Sequence, residues 1–140
     1  MPDVVGAGAT IETDKKVVAY RIDRARRLVV ITYIGEITVE DIVAIQDLSR
    51  RDPMFDRTYA VLFDALRADL RRVSLDGLKR IARNTPMAPG APRAFVVRPG
   101  IGYGIARQFA AMSEIGGRGF SMGLFDNMRD ALRWLNGDSA

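Results

Sequence analysis

The stretch that most constrains the fold is residues 93–112, which read RAFVVRPGIGYGIARQFAAM. An apolar run typical of a strand leads into a Pro-Gly turn. Apolar side chains then recur every three or four residues, at Ile101, Ile105, Phe109 and Met112. The pattern predicts a strand, a tight turn and an amphipathic helix. A strand that passes directly into a helix is typical of βαβ units, so it favours an α/β fold with parallel strands.

The rest of the chain repeats this alternation. Thr38 followed by Asp41 predicts a capping box at a helix start. We predict strands over residues 17–23, 28–34, 59–64, 94–97 and 120–125, and helices over residues 39–51, 75–82, 101–112 and 127–136. The order β-β-α-β-α-β-α-β-α predicts a mixed, mostly parallel five-stranded sheet with an antiparallel N-terminal edge strand and about four helices. If all crossovers step the same way, the helices share one face and the other needs a cover, from the N-terminal arm or a second subunit.

The first 16 residues lack clear periodicity and predict a flexible arm, which leaves a single domain over residues 17–140. The N-terminus lacks the features of a secretory signal, and no apolar run has the length of a transmembrane segment, so we expect a cytoplasmic protein.

Composition excludes several function classes. The chain contains no cysteine and no histidine, which removes the commonest nucleophile, general base and metal ligands. We therefore expect no catalysis, no metal and no cofactor. The net charge is +4 and the pI about 9.8, but the arginines alternate with acidic residues instead of forming a basic block. This distribution predicts a mixed solvated surface and no nucleic-acid partner.

Ligands of parallel sheets bind beyond the carboxyl ends of the strands. A helix N-terminus beside an arginine could hold an anion there. The glycine spacing fits neither a dinucleotide fingerprint nor a P-loop, and the alternative is a tight turn in which Arg98 pairs with Asp64 or with water. The residues predicted to bind a ligand at this edge are Asp64, Arg67, Arg98, Gly100, Gly102, Tyr103 and Arg107.

Four segments together suggest a family: YRIDRARRLVVITYIGEITVEDI, YAVLFDAL, YGIARQF and FDNMRDALRWL. In their order and spacing they resemble the SpoIIAA-like (STAS-like) proteins of bacteria, over residues 17–135. The resemblance implies a βα superhelix with a mixed sheet, often found in homodimers. The wider fold group includes anti-sigma-factor antagonists and, more distantly, CRAL-TRIO-type lipid carriers.

The resemblance implies a regulatory or protein-binding module. In the antagonists a partner kinase phosphorylates a serine at the start of the helix that follows the third strand. Ser74 has roughly that place, although the usual Asp-Ser-Ser/Thr-Gly pattern is absent, and a plain helix N-cap also explains it. The alternative function is a carrier or sensor of a small apolar or anionic, lipid-like ligand bound near the carboxyl ends of the parallel strands.

Overall fold

The computed structural model describes residues 6–100, 104, 107–108 and 122–137. This part of the chain forms six strands and three helices. The strands are β1 (Gly6–Glu12), β2 (Lys16–Asp23), β3 (Leu28–Glu36), β4 (Ala60–Asp69), β5 (Arg93–Val97) and β6 (Met122–Phe125). The helices are α1 (Val39–Arg51), α2 (Leu75–Arg83) and α3 (Met128–Leu135). The fourth predicted helix, over residues 101–112, lies largely outside the described residues.

The strands form one sheet in the order β1-β2-β3-β4-β5-β6. The pairs β1–β2 and β2–β3 are antiparallel, and the three pairs from β3 to β6 are parallel. The predicted mixed sheet with an antiparallel N-terminal edge is therefore confirmed. Each parallel crossover leads to the next strand in the same direction along the sheet. Helices α1 and α2 therefore contribute to the same core.

The sheet has one more strand than predicted, because Gly6–Glu12, which we assigned to the flexible arm, forms β1. Its glycine-rich sequence gives little strand signal. The strand forms because each of its residues pairs with β2. Gly8 lies so close to β2 that a Cβ atom there would be 2.3 Å from the carbonyl oxygen of Tyr20. Close approach of two backbones explains this glycine.

The main core lies between one face of the sheet, here called the first face, and helices α1 and α2. Every second side chain of four strands points into this core. Its fully buried members include Val18, Ile22, Val29, Ile31, Ile45, Val61 and Val97. On the second face, α3 contacts β4, β5 and β6. Ala131 of α3 is fully buried there against Leu62, Ala94 and Val96. Part of the face that we expected to need a cover is thus covered by α3.

A capping box begins α1, as predicted: the Asp41 amide donates to Thr38 Oγ1 and the Thr38 amide donates to Asp41 Oδ2. Lys16 of β2 donates to the same carboxylate at 2.7 Å and ties the helix start to the sheet. Buried Gln46 then joins α1 to α2, since its Nε2 donates to the Ile81 carbonyl oxygen at 3.0 Å. These contacts fix both helices over the first face of the sheet.

No helix within the described residues is long and apolar enough to span a membrane.

Candidate functional site

Asp64, predicted to end a strand, lies inside one. β4 continues to Asp69, and its register with β3 shifts between Thr32 and Ile34, so that extra β4 residues oppose Tyr33. The Asp64 carboxylate accepts the Leu66 amide at 3.3 Å, inside this bulge. The sequence suggested a strand end because aspartate is rare within strands. In the structure the carboxylate satisfies a backbone amide at an irregularity of the ladder, which is a structural role.

The two arginines predicted at this edge, Arg67 and Arg98, are exposed. Arg67 lies on β4 and Arg98 directly follows β5. No ion pair joins either of them to Asp64 in the part of the chain that the structure describes. Arg107 is also exposed. Gly102 and Tyr103 lie outside the described residues, so their predicted role stays a prediction.

An open cleft of about 420 Å³ does lie at the carboxyl end of the last strands. Among the predicted ligand residues that are described, Gly100 lines it, together with Pro99, Phe125 and two carboxylates, Asp126 and Asp130. Asp130 accepts a hydrogen bond from the Asn127 side chain at 3.0 Å. Two carboxylates at a cleft repel an anion, so this geometry does not favour the anion site predicted there.

Ser74 caps α2, as the N-cap alternative predicted. Its Oγ accepts the Gly77 amide at 3.0 Å, and its carbonyl oxygen accepts the Leu78 amide at 2.9 Å. The serine is nevertheless exposed, as are the next two residues, Leu75 and Asp76. Leu75 is 53% exposed, and the described residues hold no other strongly exposed large hydrophobic side chain. The start of α2 therefore presents an apolar side chain to solvent beside an accessible hydroxyl.

Two exposed arginines precede this helix, and both are held by carboxylates. Arg71 Nη2 lies 2.7 Å from Asp69 Oδ2, and Arg72 Nε lies 3.1 Å from Glu36 Oε1. The Arg71 side chain, with help from the Arg71 amide, lowers the pKa of Asp69 to about 2. The carboxylate stays ionised across the physiological range, so the positive charges near Ser74 are balanced locally.

A second kind of site lies inside the main core. A partly open cavity of about 60 Å³ lies between the first face of the sheet and helices α1 and α2. Phe63 and Phe95 stack on its floor with their ring centroids 4.3 Å apart. The described residues that line it are Tyr33, Ile42, Gln46, Phe63, Ala65, Leu70, Val73, Leu78, Ile81, Thr85, Met87, Arg93 and Phe95. Most of this lining is apolar.

Two of the lining side chains are titratable and almost wholly buried. Tyr33 is 4% exposed, and burial raises the pKa of its hydroxyl far above its usual value. Arg93 is 3% exposed and donates from Nη2 to the Ala88 carbonyl oxygen at 3.1 Å. Burial lowers the pKa of Arg93 to about 10, so its guanidinium remains charged at neutral pH.

The sequence did not predict this cavity. One local signal was present. Tyr33 is two residues from Ile31 and four from Val29 on one strand, so the three side chains point to the same face of the sheet, toward the core. The remaining lining comes from α1, β4, α2 and β5 and from the loops on either side of α2, and their packing is not visible in any local pattern.

No family model and no curated protein matches the chain. Among solved structures, the chain is similar to an uncharacterised protein of the DUF3478 family with a SpoIIAA-like fold from Shewanella loihica PV-4. The two share 16% sequence identity with a TM-score of 0.51, and the match covers 96% of this chain and 98% of the other. At this identity the likeness concerns the fold, and it agrees with the SpoIIAA-like architecture predicted from the sequence.

Proposed function

We propose that this chain, which has the SpoIIAA-like fold, is a non-enzymatic regulatory module that binds a protein partner through the start of α2. The observation that carries the proposal is the 53% exposure of Leu75, at the first position of that helix. Complete burial of an exposed leucine contributes about 2 kcal/mol, so burying the exposed half of Leu75 against a partner contributes about 1 kcal/mol. The absence of histidine and cysteine from the sequence supports a role in binding rather than catalysis.

The surroundings of Leu75 suit an interface. Ser74 and Asp76 are exposed beside it, and Arg71 and Arg72 lie on the preceding turn. An apolar centre with a polar, charged rim is the usual anatomy of a protein–protein contact. The core behind it is well fixed, because Gln46 bonds α2 to α1. A rigid, pre-formed surface loses little entropy when it binds.

A matched pair of variants tests this surface. Leu75→Asp replaces the proposed anchor, and Arg129→Asp places the same residue in the exposed first turn of α3. An acidic residue is favourable in the first turn of a helix, so both proteins should fold. Proteins captured from the native host by the wild type and by Arg129→Asp should be lost with Leu75→Asp. Capture that is equal for all three baits would rule out this surface.

Ser74 is the residue through which we propose that binding is regulated, by phosphorylation. Its hydroxyl is accessible and lies next to Leu75, so a phosphate would place negative charge at the proposed anchor. Ser74→Asp should weaken partner capture, whereas Ser74→Asn should keep it, because both residues are good N-caps and they differ in charge. If the two variants capture the partner equally, negative charge at position 74 does not regulate binding.

We also propose that the module is a homodimer. The support is the second face of the sheet at β2 and β3, where Val17, Ala19 and Ile34 are only half-buried. Helix α3 lies on the same face but contacts β4, β5 and β6. Light scattering at micromolar concentration should give the mass of two chains. A mass of one chain would exclude the dimer and the proposal that a second copy covers this face.

The second candidate function, a carrier or sensor of a small ligand, is favoured by a different observation. The cavity beneath α2 combines mostly apolar walls with the polar groups of Tyr33, Gln46 and Arg93. Ligand sites are commonly mostly apolar pockets with a few placed polar groups. For this second candidate function we propose a binding site in the cavity, in addition to the site predicted near the carboxyl ends of the strands. Native mass spectrometry of the purified protein should detect a co-purifying small molecule if this function holds.

A further inference from the structure

Strand β1 forms one edge of the sheet. It pairs with β2 on one side, and no other described strand pairs with it on the other. Proteins usually protect such an edge by a short strand, a proline, a lysine, a bulge or a covering segment. The strand at the opposite end of the sheet follows this rule, since β6 has only four residues and α3 contacts it.

β1 lacks the protections that its own sequence and pairing could provide. It is seven residues long, Gly6–Glu12, and contains no proline and no lysine. Its register with β2 runs from end to end without a bulge. The single charged residue is Glu12, at the last position. A regular edge of this length with so little charge is a surface that readily adds another strand.

The hairpin that joins β1 to β2 shows which backbone groups of β1 face outward. The Thr13 amide donates to the Lys16 carbonyl oxygen at 3.0 Å, so at Thr13 the backbone faces β2. This direction alternates along an antiparallel strand, and Ile11 and Ala9 therefore also bond toward β2. The exposed residues whose amides and carbonyls point to the open edge are Gly8, Thr10 and Glu12.

We propose that this edge binds a second copy of the chain, with the two β1 strands antiparallel across a twofold axis at Ala9, so that the two sheets continue as one. The proposal rests on the homodimer proposed above and gives it a contact other than the open second face of β2 and β3. A twofold axis makes the pairing self-complementary: Gly8 opposes Thr10 of the partner subunit, and Thr10 opposes Gly8 of the partner subunit. The outward amides and carbonyls of the two strands then bond each other.

Charge and side-chain packing both suit this register. The two Glu12 carboxylates lie at opposite ends of the ladder, about 20 Å apart, which exceeds the Debye length of about 10 Å, so their repulsion is screened. The side chains of Ala9 and Ile11 pack against the main core and are only half-buried there. The second copy brings the same two side chains to the same face of the joined sheet, which extends the apolar layer across the edge.

A proline tests the ladder. Thr10→Pro removes an outward amide and fills space that the second strand needs, yet an edge strand tolerates proline where its nitrogen faces away from the neighbouring strand. Thr10→Ala is the matched control, because it keeps the amide. Light scattering at micromolar concentration should give the mass of two chains for the wild type and Thr10→Ala, and of one chain for Thr10→Pro. Hydrogen exchange at the Ile11 amide, which faces β2, shows whether β1 stays in place in Thr10→Pro.

Cross-linking tests the register. The sequence contains no cysteine, so a single introduced one reports on its own position. At the twofold axis the two Ala9 residues form a pair without hydrogen bonds between them, with Cα atoms about 4.5 Å apart, which is within the range of a disulfide. Oxidation of Ala9→Cys by dissolved oxygen with a copper catalyst should join two thiols in a disulfide between the chains. Ile11→Cys is the control, since its two copies lie about 14 Å apart along the ladder and should not cross-link.

The outcomes separate this contact from the dimer itself. A mass of one chain for the wild type would refute both the homodimer and the pairing. A mass of two chains for Thr10→Pro, or equal cross-linking of Ala9→Cys and Ile11→Cys, would leave the homodimer and refute pairing through β1. Loss of the dimer in Thr10→Pro alone, with cross-linking confined to Ala9→Cys, supports the proposal. If the Ile11 amide loses its protection in Thr10→Pro, the cross-link decides.

Discussion

The packing of α2 against α1 can be tested at a single glycine. Gly77 lies in the first turn of α2 and is buried. A Cβ atom at this position would be 2.3 Å from Val39 Cγ2 and 3.2 Å from Ser74 Oγ. Val39 is the first residue of α1, and its β-branched side chain has few rotamers, so relieving the clash costs free energy. The substitution Gly77→Ala therefore sets helix propensity against a steric clash.

The two effects have different sizes. Alanine is favoured over glycine within a helix by about 1 kcal/mol. Overpacking of a well-packed contact costs about 1–3 kcal/mol. The clash should prevail, and Gly77→Ala should lower the free energy of unfolding by about 1 kcal/mol. In a Val39→Ala background the obstructing methyl group is absent, so the same substitution should raise stability by about 1 kcal/mol.

Urea unfolding of the wild type, the two single variants and the double variant measures all four stabilities. The difference between the two backgrounds should be about 2 kcal/mol. Gly90→Ala is the control, since nothing lies within 4 Å of a Cβ atom placed there, and it should have little effect. If Gly77→Ala stabilises the wild type, or has the same effect in both backgrounds, the contact between Gly77 and Val39 does not limit the approach of the helices.

Three further predictions concern polar groups. Tyr33→Phe should change stability by less than about 0.5 kcal/mol, seen as a nearly unchanged thermal midpoint, because no described residue hydrogen-bonds the hydroxyl and its oxygen is not among the fully buried polar atoms without a partner; a loss of about 1 kcal/mol would reveal a hydrogen bond. Gln46→Leu should cost about 1 kcal/mol in urea unfolding, since it removes two hydrogen bonds while the Ile81 carbonyl oxygen still accepts the Asn84 amide and Asn84 Nδ2 still donates to Asp47; an unchanged midpoint would contradict this. Burial alone would raise the pKa of Asp41, but hydrogen bonds from Lys16 and Thr38 outweigh it and lower the value. The unfolded chain thus takes up this proton first on acidification, so the contribution of Asp41 is complete above about pH 5 and is lost as pH falls below 4. Stability curves of the wild type and Asp41→Asn should converge there, whereas parallel curves would show that Asp41 is not responsible.

Much of the fold was predictable because its signals are local. The apolar alternation of β3 and the Thr38–Asp41 capping box of α1 both act over a few residues, and both are present in the structure as predicted. The Ser74 cap of α2 is of the same kind. Local patterns of this sort fix the type and order of elements, and the SpoIIAA-like architecture follows from that order.

The errors have a common physical origin in pairing between strands. The β1 sequence, GAGATIE, has little strand propensity and becomes a strand because β2 offers it a complete ladder. Asp64 interrupts an apolar run, yet β4 continues past it because β3 still provides partners beyond the bulge. Neither partner can be inferred from the segment itself. Because β4 runs to Asp69, Asp64 does not end its strand, whereas the ligand-binding role predicted for the residues at this edge stays a prediction.

Helix α2 connects the two proposed functions. Leu75 and Ser74 at its start face solvent, while Leu78 and Ile81, one and two turns further along, line the cavity. Any guest that packs against Leu78 and Ile81 acts on the same rigid element that presents Leu75. If two positions of α2 bind the partner with different affinity, a ligand that favours one of them changes partner binding, and by linkage the partner changes the affinity for that ligand by the same factor. The part of the cavity that α2 lines is therefore the place at which a small molecule would alter partner binding.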